Sequence, residues 1–227
     1  MEIVTVKDVN KTYTQGKVKV QALRSVSLGI ETGGFVALAG PSGSGKTTLL
    51  NIIGGLDLPD SGDVTVDGST YSEMSQSDLA KLRLQKVGFI FQAYNLIPVL
   101  SALENVEFVM LLQGVDKKER RHRAAEILDD VGLEGMHHRR PGELSGGQQQ
   151  RVAVARAIVA HPSIVLADEP TANLDSRTGD GLLKMMEAMN DTKKVTFIFS
   201  THDDMVMEYA KRLVQLRDGG IAEDLVK

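Results

Sequence analysis

The stretch that decides the fold is Gly40-Pro41-Ser42-Gly43-Ser44-Gly45-Lys46-Thr47, which matches the phosphate-loop pattern G-x-x-x-x-G-K-[ST] at every fixed position. The apolar run Phe35–Ala39 precedes it and has the length and composition of a buried strand. Residues Thr48–Ile53 follow it with the pattern of the first turns of a helix. Strand, glycine-rich loop and helix are the context that the motif requires, and together they predict a nucleoside triphosphate site.

The chemistry of this loop follows from its backbone. Glycines let successive N–H groups turn inward into an anion-binding nest, and the helix N-terminus adds free N–H groups and a positive dipole end. We expect Lys46 to reach the β- and γ-phosphates and the Thr47 hydroxyl to ligate Mg²⁺. The neighbouring Thr48 is assigned to the same nucleotide site. The alternative, a chance glycine turn, does not account for the flanking strand and helix.

Composition excludes several classes of protein. The chain has 227 residues, no cysteine and a formal net charge of −4. There is therefore no disulfide, thiolate metal site or thiol nucleophile, and the charge argues against a dedicated nucleic-acid binder. No apolar run approaches the ~20 residues of a membrane span, and the N-terminus lacks the pattern of a signal peptide. A role at a membrane would need a membrane part supplied by another chain.

Hydrophobic patterning predicts a single α/β domain over residues 1–227, with a largely parallel core sheet. The opening of the chain predicts a small antiparallel sheet, with strands at Ile3–Val9, Val18–Val20, Val26–Ile30 and Val64–Val66. A helical stretch, about 93–160, interrupts the strand–helix alternation and predicts an inserted helical subdomain. The alternation resumes with a strand at Ser163–Ala167, a helix at Thr178–Met189, a strand at Val195–Ser200, a helix at Asp204–Leu213 and terminal strands at Leu213–Leu216 and Gly220–Leu225.

Two acidic residues, Asp168 and Glu169, follow the apolar run Ile164–Ala167. Carboxylates at the end of a buried strand need a partner, since burying them unpaired costs several kcal/mol. A Mg²⁺ ion would compensate Asp168, and Glu169 would then lie beside the γ-phosphate, where a base can polarise a water. An exposed acidic turn before Pro170 is the alternative, but the phosphate loop favours the functional interpretation.

A second anion-binding pattern, Leu144-Ser145-Gly146-Gly147-Gln148, opens a predicted helix over Gln148–Ala160. One nucleotide rarely needs two phosphate sites in one chain, so this site would serve the nucleotide bound by a second copy. Taken alone, the pattern is also that of an ordinary serine N-cap with flexible glycines.

Together these motifs, with Gln92, Asp175 and His202, resemble the ATP-binding-cassette (ABC) ATPases in type and in order, from about Tyr13 to Gly220. The resemblance implies a P-loop NTPase core and specific roles. Tyr13 would stack on adenine, and Gln92 would sense Mg²⁺ and the attacking water and link to the membrane partner. Asp168 would hold Mg²⁺, Glu169 would be the catalytic base, and His202 would contact the γ-phosphate.

The same resemblance implies a dimer. Ser145, Gly146 and Gly147, with Gln148, would close on the partner subunit's γ-phosphate, and Asp175 would lie in a loop that crosses the dimer interface. Within the family the chain is similar to the group of the lipoprotein-releasing LolD and macrolide-export MacB ATPases, through Leu49–Asp57, Asn95–Pro98 and Ala167–Asp175. Ala172 departs from that group, which usually has glycine there, and alanine cannot adopt positive φ without a cost in free energy.

These expectations describe an ATP- and Mg²⁺-dependent ATPase subunit, dimeric with ATP bound. It would be cytoplasmic and held at the inner face of the membrane by integral permease subunits on separate chains. One alternative is a regulatory ABC module of low turnover, for example at a cell-division complex. Two others are an ABC-type ATPase acting on DNA or ribosomes, which would usually carry long coiled coils or two cassettes, and a small-molecule P-loop kinase, in which Leu144–Gln148 would have no role.

Overall fold

The computed structural model describes residues 1–16 and 18–227. Lys17 lies outside the described residues. The strands are β1 Glu2–Gln15, β2 Val18–Glu31, β3 Phe35–Ala39, β4 Ser61–Val66, β5 Ser69–Thr70, β6 Val87–Ile90, β7 Ile164–Asp168, β8 Phe197–Thr201, β9 Arg212–Arg217 and β10 Gly220–Val226. The α-helices are α1 Lys46–Ile53, α2 Gln76–Lys86, α3 Ala102–Leu112, α4 Lys117–Asp130, α5 Gly146–Ile158, α6 Ser176–Lys193 and α7 Asp204–Tyr209.

The first sheet is antiparallel and has the strand order β2-β1-β4-β5 within the described residues. The prediction of two separate strands at Val18–Val20 and Val26–Ile30 is wrong, because β2 runs unbroken over both and pairs with the long strand β1. Register shifts along the pair allow this continuity. Near them Asp8 and Ser25 adopt positive φ of 47° and 45°, as residues at a bulge do. The two predicted strands are therefore joined through a local bulge. The hydrophobic periodicity of the sequence does not predict such a bulge.

The second sheet has the order β10-β9-β3-β8-β7-β6 and is parallel except for the edge strand β10. Its central strands are buried on both faces, as their continuous apolar runs predict. On one face Phe35, Phe197 and Phe199 pack with ring centroids 4.8–5.9 Å apart. The predicted fold class is confirmed: a mostly parallel core sheet, an N-terminal antiparallel sheet and an inserted group of helices.

The helix predicted over Asp204–Leu213 ends early, at Tyr209. Residues from Arg212 onward instead form β9, which pairs in parallel with β3 from Val36 to Ala39. The Arg212 guanidinium also donates two hydrogen bonds, of 2.8 and 2.7 Å, to the Asp224 carboxylate on β10. The contacts that β9 makes with β3 and β10 stabilise a strand here in place of the helix that the local sequence pattern predicts. The local pattern does not indicate these contacts, because β3 is distant in sequence.

The inserted helices α3, α4 and α5 lie within the stretch predicted as helical. A capping box at Ser101–Glu104 opens α3, with Ser101 Oγ accepting from the Glu104 N–H and a Glu104 carboxylate oxygen accepting from the Ser101 N–H. Within residues 1–16 and 18–227, no helix combines the length and apolar character that crossing a bilayer requires.

Candidate active site

A cleft of about 720 Å³ lies at the carboxyl ends of the parallel strands, next to the phosphate loop. Ligands of open parallel α/β sheets bind at this edge because the loops that leave the strands meet there. The cleft is lined by Tyr13, Val20, Ala22, Pro41, Ser42, Gly43, Gly45, Lys46, Thr47, Thr48, Gln92, Glu169 and His202. It therefore gathers residues from six separate stretches of the sequence.

The phosphate loop has a backbone that only glycine fits at two positions. Gly40 and Gly45 adopt φ of 148° and 103°. A Cβ atom at Gly40 would lie 2.2 Å from the Leu216 carbonyl oxygen, and one at Gly45 would lie 2.5 Å from the Ala22 carbonyl oxygen. Both the backbone conformation and the available space exclude a side chain at these positions, so the two glycines let the loop approach the neighbouring strands closely.

Lys46 begins α1 and is only 7% exposed. Its ammonium donates hydrogen bonds to the carbonyl oxygens of Gly40, at 2.7 Å, and Pro41, at 3.0 Å. The buried hydroxyl of Ser44 has no hydrogen-bond partner among the described residues. The Lys46 ammonium and the Ser44 hydroxyl can both donate hydrogen bonds to a phosphate group, whose oxygens are strong acceptors.

Thr47, which lines the cleft, contacts Asp168: the Thr47 hydroxyl donates to Asp168 Oδ1 at 3.2 Å. A hydroxyl and a carboxylate are the hard oxygen ligands that Mg²⁺ prefers. Within the part of the chain that the structure describes, no group of three or more His, Cys, Asp or Glu side chains could hold a metal. The residues thus fit Mg²⁺, which is commonly bound through one or two protein oxygens together with substrate phosphates.

Glu169 follows Asp168 in a strained backbone conformation, with φ of 47°. Its Oε1 lies 2.7 Å from His202 Nδ1, and its Oε2 accepts from the Thr201 hydroxyl at 3.3 Å and the His202 N–H at 3.4 Å. The Glu169 side chain is 15% exposed, while that of His202 is 70% exposed. A non-glycine residue held at positive φ costs of order 1–3 kcal/mol, and such strain clusters at functional sites.

Two further residues predicted for this site, Tyr13 and Gln92, also line the cleft. Tyr13 comes from β1 and is 41% exposed. Gln92 follows β6, and its backbone carbonyl accepts a hydrogen bond from the Asn173 side chain at 2.8 Å. Asn173, which follows Glu169 in the chain, thus stabilises the loop that carries Gln92.

The second predicted phosphate site does not line this cleft of its own chain. Ser145 is the exposed N-cap of α5 and forms a capping box with Gln148, bonded at 3.3 and 2.9 Å. A Cβ atom on Gly147 would lie 2.3 Å from the Thr178 methyl group, and one on Gly146 would lie 3.0 Å from the Tyr94 hydroxyl. Packing and capping within one chain thus explain the serine and these glycines without reference to a phosphate.

Asp175 is likewise an N-cap, at the start of α6. Its carboxylate accepts from the Thr178 N–H at 3.0 Å and the Thr178 hydroxyl at 2.6 Å, and these bonds lower the pKa of Asp175. The nearby Ala172 has no positive φ, and its N–H donates to the Glu169 carbonyl at 3.2 Å. The alanine therefore fits this loop.

Sequence reasoning missed Arg156, whose guanidinium donates to the backbone carbonyls of Asn95, at 2.5 Å, and Tyr94, at 2.8 Å. Both residues adopt positive φ, of 49° and 59°, just after Gln92. Burial lowers the pKa of Arg156. The available signal was an arginine among the alternating alanine and valine residues of the helix predicted over Gln148–Ala160, since a charge in an apolar segment needs partners.

Comparisons with known proteins agree with this geometry. Residues 23–172 match the family model described as ABC transporter. An uncharacterized ABC transporter ATP-binding protein from Thermotoga maritima is 49% identical over 97% of this chain and 93% of its own length. A macrolide export ATP-binding/permease protein MacB from Hyphomonas neptunium is 48% identical over 98% of this chain, which spans only 34% of that relative.

A solved structure shows the same fold. The ATP-binding cassette MJ0796 of Methanocaldococcus jannaschii, determined as a dimer in a post-hydrolysis state with ADP and Pi, superposes with a TM-score of 0.90. It is 43% identical, and the match covers 98% of both chains. That structure is of a cassette after ATP hydrolysis, and its identity to this chain is high enough to compare sites as well as folds.

Proposed function

This chain is an ATPase of the ABC transporter family, and we propose that it is the ATP-hydrolysing subunit that powers a membrane transport or efflux complex. The observation that carries the proposal is the convergence of four groups on one cleft: the phosphate loop, the Thr47–Asp168 pair, the Glu169–His202 pair and Tyr13. These groups supply the contacts to base, phosphates and attacking water that binding and hydrolysis of ATP require.

The proposed reaction is in-line attack of water on the γ-phosphate, with catalysis by positioning and electrostatic stabilisation. Lys46 and the loop N–H groups hold the phosphates, and Tyr13 takes the adenine. Glu169 accepts the proton of the attacking water, and His202, bonded to Glu169, contacts the γ-phosphate. Thr47 and Asp168, with Gln92 nearby, would hold Mg²⁺, and the bound ion would neutralise charge on the phosphate oxygens.

The cassette works as a dimer in this proposal. The helix N-terminus at Ser145–Gln148 does not line the cleft of its own chain, so in this proposal it closes on the γ-phosphate bound by a second copy. Asp175, on a loop that also leaves the cleft, would lie at the dimer interface. Two solved structures of one relative, MJ0796, which is 43% identical to this chain, are dimeric cassettes.

Permease subunits on separate chains complete the proposed complex and hold the cassette at the inner face of the membrane. The MacB relative combines ATP-binding and permease parts, and this chain matches about a third of it. An apolar cleft of about 290 Å³, lined by Leu56, Phe89, Phe91 and Val109, adjoins the loop held by Arg156. On the neighbouring α3, Phe108, Leu111 and Leu112 are exposed. A permease segment would dock on this apolar face, next to Gln92.

Replacing Leu112 with glutamate tests this docking face. Leu112 is 58% exposed, so the charge should leave folding and basal hydrolysis intact but weaken docking, because burying an unpaired carboxylate is costly. The chain, tagged and expressed in its native cell, should capture an integral membrane protein from detergent-solubilised membranes, and Leu112→Glu should capture less. Val226→Glu, on the 80% exposed end of β10, is the matched control. The proposed face would be contradicted if the native chain captured no membrane protein, or if Leu112→Glu and Val226→Glu captured equal amounts.

Replacing Lys46 with alanine should weaken ATP binding strongly. A charge-assisted hydrogen bond to phosphate is worth about 1.5–3 kcal/mol, which corresponds to a rise in Kd of roughly tenfold to a hundredfold. Calorimetric titration with ATP and Mg²⁺ measures this directly. Lys184→Ala, which removes a 65% exposed lysine on α6, controls for the loss of one positive charge. An unchanged Kd in Lys46→Ala would remove Lys46 from its assigned role.

A further inference from the structure

Three side chains at the rim of the nucleotide cleft form a connected cluster, which we call the Tyr13 clamp: Lys11, Tyr13 and Asp57. The Tyr13 hydroxyl donates to Asp57 Oδ2 at 2.7 Å, and the Lys11 ammonium donates to Asp57 Oδ1 at 2.7 Å. The same ammonium lies 5.3 Å from the centre of the Tyr13 ring. Asp57 thus holds the ring at its hydroxyl, and Lys11 covers one of its two faces.

Asp57 is attached to the helix that carries the phosphate loop. The N–H groups of Leu56 and Asp57 donate to the Asn51 carbonyl, at 2.9 and 3.3 Å, and so fix the turn on the last residues of α1. Lys46, which binds the phosphate loop carbonyls, is the first residue of the same helix. Through α1, the position of the Tyr13 ring is set relative to the phosphate loop.

We propose that Asp57 is a positioning residue for nucleotide binding: with Lys11 it orients the Tyr13 ring so that its free face stacks on the base at a fixed distance from the phosphates. The inference rests on the proposed contact between Tyr13 and adenine, and deepens it. Without the clamp, a 41% exposed tyrosine on a hairpin would turn among its rotamers, and ordering it would reduce the affinity for the base.

The charges of the clamp suit this role. Burial opposes ionisation of Asp57, but hydrogen bonds from Lys11, Tyr13 and the Leu58 N–H lower its pKa overall. Burial and the bond to Asp57 raise the pKa of Tyr13. At neutral pH the carboxylate is therefore charged and the hydroxyl keeps the proton that it donates. Lys11 is only 12% exposed, and its ammonium also donates to the Leu58 carbonyl at 2.7 Å.

A purely structural tie between β1 and the turn after α1 does not need the Tyr13 hydroxyl. The Thr12 N–H already donates to Asp60 Oδ2 at 2.7 Å, and the Asp60 N–H donates to the Asn10 carbonyl at 2.9 Å. These bonds join the two segments on either side of the clamp. The bond from Tyr13 to Asp57 adds control of the ring itself.

The experiment compares binding of ADP, which carries the base, with binding of inorganic tripolyphosphate, which does not. The variants of the full chain are Tyr13→Phe, Asp57→Ala, the two combined, and Tyr13→Ala. A second cluster of the same chemistry supplies the control: the Tyr209 hydroxyl donates to Asp180 at 2.6 Å, and Lys184 donates to Asp180 at 2.8 Å, outside the cleft. Tyr209→Phe and Asp180→Ala therefore remove matching contacts that do not face a nucleotide.

We expect Tyr13→Phe and Asp57→Ala each to raise the Kd for ADP about threefold to tenfold, the effect of one lost hydrogen bond, and to leave tripolyphosphate binding unchanged. The combined variant should bind ADP about as well as the weaker single variant, because both changes break one contact. Tyr13→Ala should weaken ADP binding further through lost stacking. The two control variants should bind both ligands like the native chain.

Other outcomes separate the inference from the proposed function. If Tyr13→Ala weakens ADP binding while Tyr13→Phe and Asp57→Ala do not, Tyr13 contacts the base but the clamp is wrong. If Tyr13→Ala has no effect on ADP, both the base contact and the clamp are wrong. Equal losses for ADP and tripolyphosphate, or additive losses in the combined variant, would show that Asp57 acts on the fold and not through Tyr13.

Discussion

Glu169→Gln is expected to reduce the ATP hydrolysis rate by about 10²- to 10⁴-fold, the usual contribution of a general base. The amide is nearly the same size as the carboxylate and can still accept hydrogen bonds from Thr201 and the His202 backbone. It cannot accept the proton of the attacking water. ATP binding should therefore survive, because Lys46 and the loop N–H groups that hold the phosphates are unchanged.

Loss of hydrolysis with retained binding should trap the dimer. Size-exclusion chromatography with ATP and Mg²⁺ should show Glu169→Gln as a persistent dimer, while the native chain returns to a monomer as ATP is consumed. Glu126→Gln, at an exposed position on α4, controls for the loss of one carboxylate. If Glu169→Gln hydrolyses ATP near the native rate, another group takes the proton and the strained turn at Glu169 has a different purpose.

The parts of the fold and site that sequence predicts are those encoded by local pattern. The phosphate loop requires glycine where backbone approaches backbone, and Gly40 and Gly45 meet that requirement against Leu216 and Ala22. Apolar runs such as Phe35–Ala39 identify strands buried on both faces. The predicted nucleotide site in a parallel α/β sheet thus follows from residues that are close together in sequence.

Features that depend on distant partners could not be predicted in this way. The end of α7 at Tyr209 is determined by pairing of β9 with β3, more than 170 residues earlier in the chain. The contacts of Arg156 and of Asp57 join segments 61 and 44 residues apart. A single sequence shows that a charge lies in a buried or turn segment and needs a partner, but it does not identify the partner.

The second phosphate site, at Ser145–Gly147, is proposed to act on the nucleotide of a partner chain. The substitution Ser145→Arg tests this part of the proposal. Arginine at this exposed N-cap would fill the space in front of α5 and block its N–H groups from a partner's γ-phosphate. We expect the Ser145→Arg homodimer to lose most of its ATPase activity while single chains still bind ATP. Ser75→Arg is the matched control, since Ser75 caps α2 in the same way, accepting from the Asp78 N–H, outside the cleft.

Mixing two inactive variants shows whether the site acts in trans. In a dimer of Ser145→Arg with Lys46→Ala, one composite site carries both lesions, and the other pairs an intact phosphate loop with an intact Ser145. Random mixing should therefore restore about a quarter of the native rate, since half of the dimers are mixed and each has one intact site of two. The recovery depends on that intact site turning over alone. If Ser145→Arg alone hydrolyses ATP at the native rate at every concentration, Ser145–Gly147 does not close on a second nucleotide and is only the cap of α5.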